Sequence, residues 1–367
     1  PVGGELRYLY YGTGLSEDDL RQMNVAGTCH HVAYPSYGIG WPGESALRIR
    51  HADGAIATRL YVQDVEVRQE PDAMLTLVKL KDCVYPFYVN LCYKAYRDVD
   101  VIETWTEFSH SEKTPVTLLQ FASSYLPLRR GDVWLSSLYG GWGNEARLLQ
   151  EPLKPGIRLI KNIDGVRNSH TAHAEVMFSL DGKPQENTGR TIGAALCYTG
   201  DYRLKINTDD GDYHHFFAGM DEEGASFRLK KGEVFRTPPL ALTYSEEGLG
   251  GASRNFHKWG RKHKLANGDK PRKILLNSWE GVYFDINQKD MEQMMADIAL
   301  MGGELFVMDD GWFGDKHPRD IDNAGLGDWV VNPKKLPDGI AGLLRDAAKH
   351  NICLLYTSPS PRDMRRS

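Results

Sequence analysis

The run Phe306-Val-Met-Asp309-Asp310-Gly311-Trp312-Phe313-Gly314 ends a stretch of apolar residues in two adjacent carboxylates. Carboxylates beside tryptophans suit a sugar. Each carboxylate can accept two hydroxyl protons, and an indole face covers the apolar side of a pyranose ring. Trp279-Glu280 closes the preceding apolar run, Lys273–Asn277, one helix-bearing crossover earlier. In parallel barrels the C-terminal strand ends carry the chemistry, because their loops converge on one mouth. Asp309 and Asp310 are therefore expected to face a ligand. The alternative is a polar loop whose aspartates cap the next element, and spacing alone leaves both open.

The elements that must hold these residues are legible around them. Lys273–Asn277 and Glu304–Met308 read as short strands buried on both faces. Between them, Asn287 is placed to cap a helix. Met291, Met294, Met295, Ile298 and Met301 recur in it at helical spacing, as a core-packing face, and Gly302-Gly303 ends it. A long polar loop follows, and Pro337 opens a second helix with Ile340, Leu343, Leu344 and Ala347 on one face. Strand, helix, strand, helix implies parallel pairing through right-handed crossovers, the start of an α/β domain. Past Leu355 the pattern stops. Pro359 and Pro361 forbid a central strand and the terminal arginines have no core to face, so residues 354–367 are expected to be a non-native tail.

Upstream the texture differs. Tyr202-Arg-Leu-Lys-Ile206, Leu47-Arg-Ile49 and Phe87-Tyr-Val-Asn-Leu91 place apolar residues at every second position, with Gly and Pro breaks between runs. Many short strands separated by turns predict an antiparallel β-sandwich over residues 1–250. No repeat of fixed period is present. The basic stretch from Ser253 to Lys273, with Phe256 and Trp259 three apart, reads as a linker helix that packs two aromatics and exposes its charges. An anion-binding patch is the alternative.

Composition narrows the function. The chain has 367 residues, 41% hydrophobic and 25% charged, with a formal charge of −5. That is an ordinary globular balance, and it gives no support to a nucleic-acid or anionic-membrane partner. No uncharged apolar run approaches the roughly 20 residues that cross a bilayer. Cys29, Cys83, Cys92, Cys197 and Cys353 form no C-x-x-C pair and are expected mostly as buried thiols rather than a disulfide or zinc scaffold. Gly38-Ile-Gly40-Trp-Pro-Gly43 lacks the strand–helix context of a dinucleotide site and reads as a turn. Asp320-Ile-Asp322-Asn-Ala-Gly325 begins like a calcium loop but has Ala324 and Val331 at ligand positions. The pairs His30/His31, His170/His173 and His214/His215 lack convergent carboxylates or cysteines, so no metal is expected. Pro1 in place of an initiator methionine marks an incomplete or processed chain, and no compartment is assigned.

Several motifs in one order carry a family resemblance: Asn277-Ser-Trp279-Glu280-Gly-Val-Tyr-Phe284-Asp285, Leu305-Phe-Val-Met-Asp309-Asp310-Gly-Trp312-Phe-Gly314, Leu326-Gly-Asp328-Trp329 and Lys335-Leu-Pro-Asp-Gly339. With Tyr34-Pro-Ser-Tyr37-Gly and Arg254-Asn-Phe-His257 upstream, the chain resembles glycoside hydrolase family 36, the microbial α-galactosidases. The resemblance implies a multidomain β plus α/β chain. Its parts are a sandwich (1–250), a basic linker helix (251–272), the first two βα units of a truncated TIM (β/α)8 barrel (273–353) and the tail (354–367). It also implies retaining hydrolysis of terminal α-linked galactose from oligosaccharides without a cofactor. Asp309 and Asp310 would receive the sugar's 4- and 6-hydroxyls, with Trp279 lining the subsite and Trp312 belonging to the motif. The nucleophile and acid/base aspartates of the family lie on later barrel strands, so this chain is expected to contain neither and to be inactive as it stands. Trp41 stands where many members carry an acidic residue in a loop that completes a neighbour's site in tetramers. A homotetrameric parent is the expectation, with that loop's role open. Related α-N-acetylgalactosaminidase or galactosyl transferase activity, or a sandwich that binds carbohydrate alone through Trp134, Tyr139 and Trp142, are the competing readings.

Overall fold

A computed structural model of the chain describes residues 4–22, 32–38, 40, 41, 43–128, 130–165, 171–223 and 226–356. It divides into two units, Pro1–Gly268 and Asp269–Ser367.

In the first unit the period-two pattern becomes strands with one buried face. Tyr202–Thr208 seals Tyr202, Leu204 and Ile206 while Arg203 and Lys205 keep partial access to solvent. Strands pair antiparallel into a ten-stranded sheet, with Leu60–Gln69 at one edge and Asn144–Pro152 at the other. A four-stranded sheet contains Tyr202–Thr208, and a three-stranded sheet contains Leu47–Arg50. Two cores result. One joins Leu135, Phe178 and Ile192 of the large sheet to Leu204 and Phe216 of the four-stranded sheet. The other joins Phe87, Val89 and Phe108 to Leu47, Ile49 and Phe121 of the three-stranded sheet. Each small sheet thus covers part of the large one, as in a sandwich. Among the described residues no helix is long and apolar enough to cross a membrane.

The basic stretch up to Gly268 belongs to this unit and docks on it as a helix that ends at Lys264, short of the 272 expected, while Lys270, Arg272 and Lys273 fall in the second unit. Gly248–Trp259 is α-helical and passes into a π-turn, Gly260–Lys264. Trp259 is buried against Val99, Val101 and Ala241, with Phe256 packed beside it. Three side chains find partners on the large sheet and its turns: Lys262 with Asp98 at 2.8 Å, Lys264 with Glu103 at 2.5 Å, and His263 between Asp72 (3.1 Å) and Asp98 (2.9 Å). Lys262, then His263, hold the Asp98 carboxyl down to about 2. The cysteine expectation needs correcting: Cys92 is buried, but Cys83, Cys197 and Cys353 are exposed, and Cys29 lies outside the described residues.

The second unit is a three-stranded parallel sheet in sequential order: β1 (Leu275–Asn277), β2 (Leu305–Val307) and β3 (Cys353–Leu355). Between β1 and β2 lie the short helix α1 (Trp279–Val282) and α2 (Gln288–Leu300); α3 (Gly339–Lys349) leads to β3. Asn287 caps α2 by accepting from the Asp290 N–H at 3.0 Å. Met291, Met295 and Ile298 of α2 pack with Phe306, Met308, Leu343 and Ala347, whereas Met301 is 82% exposed, one turn beyond the buried stripe.

Three sequence expectations shift here. The first strand ends at Asn277, so Trp279 opens α1 rather than closing a strand. The second helix starts at Gly339, and Leu344 faces outward. Leu354 and Leu355, assigned to the tail, pair with Phe306 and Val307, because the apolar run from Ile352 is long enough for one more parallel strand. Residues 357–367 lie outside the described residues. Neither outer strand is buried on both faces: Leu275 and Leu355 are 49% and 44% exposed.

Candidate carbohydrate site at the strand ends

The site grows from the C-terminal ends of β1 and β2. The ladder between them continues past the strands, through Ser278 N–H to the Val307 carbonyl (2.9 Å) and Asp309 N–H to Ser278 Oγ (3.0 Å), with Ser278 fully buried. This brings Asn277 beside Asp309, and Asn277 Nδ2 donates to Asp309 Oδ2 at 2.6 Å. The other oxygen, Oδ1, accepts the Asp310 N–H at 2.7 Å. Asn277 Oδ1 in turn takes the Trp279 N–H at 2.8 Å, fixing the start of α1. The Trp279 ring stands edge-on to Phe284 (4.9 Å) and Tyr283 (5.3 Å) and stays partly exposed.

Asp310 is held from the other side. Arg319 Nε donates to its Oδ1 (2.9 Å) and Oδ2 (3.0 Å), and Nη2 donates to Oδ2 (2.6 Å). Gly311 N–H adds a bond to Oδ1 at 2.9 Å. The Asp310 carboxylate raises the Arg319 pKa above its ordinary value. Arg319 comes from the polar loop after β2. That loop is pinned at its base by Gly314 N–H to Val330 O (2.7 Å), Asn332 N–H to Trp312 O (3.1 Å) and Asn332 Nδ2 to Gly314 O (3.1 Å). Lys335 Nζ gathers the carbonyls of Phe284 (2.8 Å), Gly311 (2.9 Å) and Arg319 (3.3 Å) and pairs with Asp320 at 2.7 Å. Gly311 is required where it stands: at φ +101 a Cβ would meet the Phe284 backbone at 2.9 Å.

Of the four residues named from sequence, Asp309, Asp310 and Trp279 meet at one end of the sheet with partial exposure. Trp312 does not join them. It is 5% exposed, edge-on to Phe313 and Tyr356 in the core, so its ring packs beneath the strand ends. Sequence reasoning gave no role to Arg319, Lys335 or Asn277. Asn277 and Lys335 stand inside the family-like motifs, and Arg319 is the one arginine in a loop of acidic and small residues.

Other candidates resolve as structure. Asp320 of the calcium-like run is taken by Lys335, and among the described residues no group of His, Cys, Asp and Glu converges as a metal site. His214 bonds Thr208 Oγ1 and the Gly131 carbonyl, and His215 bonds the Tyr125 hydroxyl and Asp209. His30, His31 and His170, and Ile39 and Pro42 of the glycine-rich turn, lie outside the described residues. The Trp41 ring donates to the Glu44 carbonyl and packs edge-on to His215. Trp142 and Tyr139, 90% and 46% exposed, stand on the hairpin that edges the large sheet.

Comparison with known proteins agrees with this architecture. Residues 4–230 match the glycosyl hydrolase family 36 N-terminal domain, and residues 234–357 match melibiase. A probable α-galactosidase C of Aspergillus flavus is 32% identical over 334 residues, 86% of this chain and 44% of the relative. The α-galactosidase AgaA of Geobacillus stearothermophilus is 32% identical over 330 residues, 85% of this chain and 44% of that protein. The crystal structure of AgaA superposes with a TM-score of 0.85 at 26% identity, covering 97% of this chain and 54% of AgaA; AgaA variants are also known in complex with raffinose and with stachyose. The chain spans about half the length of the relatives it matches.

Proposed function

The chain belongs to glycosyl hydrolase family 36, the α-galactosidases, and from that premise we propose that it is the galactose-recognition part of an enzyme that hydrolyses terminal α-linked galactose from oligosaccharides with retention of configuration. The observation that carries this reading is the pair Asp309 and Asp310 at the C-terminal end of β2, with Trp279 arriving beside them from the end of β1. The two carboxylates are hydroxyl acceptors rather than the reacting pair. Each is tied by protein donors on its own side, whereas retaining hydrolysis needs a nucleophile and an acid/base roughly 5–5.5 Å apart across the glycosidic bond. Those two groups would come from barrel strands beyond β3. The full-length protein would need no metal or organic cofactor, since two carboxylates suffice for glycosyl transfer. Assembly of the parent as a homotetramer remains part of the proposal.

The full-length protein is expected to hydrolyse p-nitrophenyl α-galactoside, in EDTA as well as without it. Hydrogen bonds to a charged acceptor contribute about 1.5–3 kcal/mol each, so Asp310→Asn should lower kcat/KM by roughly 10- to 150-fold. Full activity in that variant would remove Asp310 from the subsite. Faster turnover of the α-N-acetylgalactosaminide, or transfer to an acceptor sugar outrunning hydrolysis, would move the enzyme to the neighbouring activities.

A further inference from the structure

The acceptor capacity of the two aspartates is not equal, and the reason is Arg319. A carboxylate offers about four lone-pair sites. Asp309 spends one on the Asp310 N–H and one on Asn277 Nδ2, which leaves a site on each oxygen. Asp310 Oδ1 receives the Gly311 N–H, Oδ2 receives Arg319 Nη2, and the single Arg319 Nε–H is shared between the two oxygens at 2.9 and 3.0 Å, so three donors already occupy this carboxylate. We propose that Arg319 is a positioning residue for sugar recognition: it fixes the Asp310 carboxylate and, with the Gly311 N–H, leaves it acceptor capacity for a single sugar hydroxyl. This inference rests on the galactose-binding reading above.

The guanidinium is suited to that task because it cannot move. Its side chain is 7% exposed, and Nη1 donates to the carbonyls of Ile321 (2.8 Å), Asp322 (2.5 Å) and Ala324 (2.9 Å). The planar fork is thus locked by backbone on one side and meets the carboxylate edge with the other, a geometry an ammonium cannot reproduce. The Phe284 ring lies under the guanidinium at 5.3 Å. Lys335 Nζ binds the carbonyls of both Arg319 and Gly311, so the backbone that carries the cation is tied to the backbone that follows the anion. A carboxylate held this way can select a hydroxyl by direction.

The test uses the full-length protein and aryl α-galactosides with the 4- or 6-hydroxyl removed. Arg319→Lys should raise KM for the parent galactoside about 10- to 100-fold, the range lost with a charged hydrogen bond, and leave kcat nearly unchanged. That penalty should vanish for the one deoxy analogue whose absent hydroxyl is the partner of Asp310, and in the Asp310→Asn background. Added guanidinium should partly restore Arg319→Ala, and circular dichroism shows whether each variant is folded. A penalty equal for every analogue would mean that Arg319 only holds its loop, and an unchanged KM would overturn the proposal outright. A wild-type protein that neither binds nor cleaves galactosides would instead remove the galactose reading, and this inference with it.

Discussion

Phe87, Phe108 and Phe121 are sealed between the sheets of the sandwich, while Leu275 and Leu355 on the outer strands of the α/β unit stand about half exposed. The first unit closes two cores by covering its large sheet with two smaller ones. The second builds one core on three parallel strands whose outer edges have no partner among the described residues. The polar groups divide the opposite way. In the α/β unit buried or half-buried polar side chains converge on one end of the sheet and fix two carboxylates toward solvent. In the sandwich they are spread along the strands, and most of the buried polar side-chain atoms that lack a partner among the described residues lie there. The sandwich unit finishes its own cores, whereas the α/β unit leaves Leu275 and Leu355 of its outer strands half exposed.

The largest effect should come from separating the two. Residues 1–268 expressed alone are expected to unfold in one cooperative transition and to resist limited proteolysis. Residues 269–356 alone should show no cooperative transition, because parallel strands with open edges and partly covered faces cannot offset the ordering entropy. A cooperative, protease-resistant α/β fragment would break the comparison.

Within the sandwich the sharper measure is a cavity. Phe108 is fully buried, with Phe87 and Phe121 rings at 6.3 Å and Phe235 at 6.4 Å. Phe108→Ala in residues 1–268 should cost about 3–5 kcal/mol in urea unfolding. Val67→Ala, on the edge strand and 54% exposed, should cost no more than about 0.5 kcal/mol. Similar losses at both positions would mean that the core is not closed as described.

The same contrast explains what could be read from residues alone. Alternation in Tyr202–Ile206 and Phe87–Leu91 announces a strand and its buried face, because period two has one structural meaning when one face is covered. It says nothing of how many strands share a sheet, since pairing partners such as Thr243 and Val101 are far apart in sequence. In the α/β unit the meeting of Asp309, Asp310 and Trp279 at one end of the sheet is legible because each stands just past an apolar run. Arg319 was not, because its partner lies nine residues back and the loop that returns it has no periodicity. Trp312 was misplaced because an aromatic beside a carboxylate pair reads alike whether its ring faces a ligand or the core.

The smallest effect concerns how each unit treats an acid beside an arginine. Asp310 meets Arg319 through both oxygens. In the sandwich, Glu222 pairs with Arg203 through Oε1, and its buried Oε2 has no partner among the described residues. Burial therefore outweighs the attraction of Arg203 and pushes the Glu222 carboxyl up to about 7 from an ordinary 4.5. A carboxyl that binds its proton more tightly in the folded state stabilises that state at low pH. The contribution is complete below about 4.5 and is lost as pH rises through about 7. For residues 1–268 it should amount to about 1–3 kcal/mol across that window. Glu222→Gln keeps the neutral shape and removes the titration, so its stability should fall less steeply between those pH values than that of the wild type. The arginine remains paired with the amide oxygen at acid pH, where the two proteins should be closest in stability. Parallel pH profiles of unfolding free energy would show that Glu222 is ionised in the folded sandwich, and that its pairing with Arg203 is as complete as that of Asp310 with Arg319.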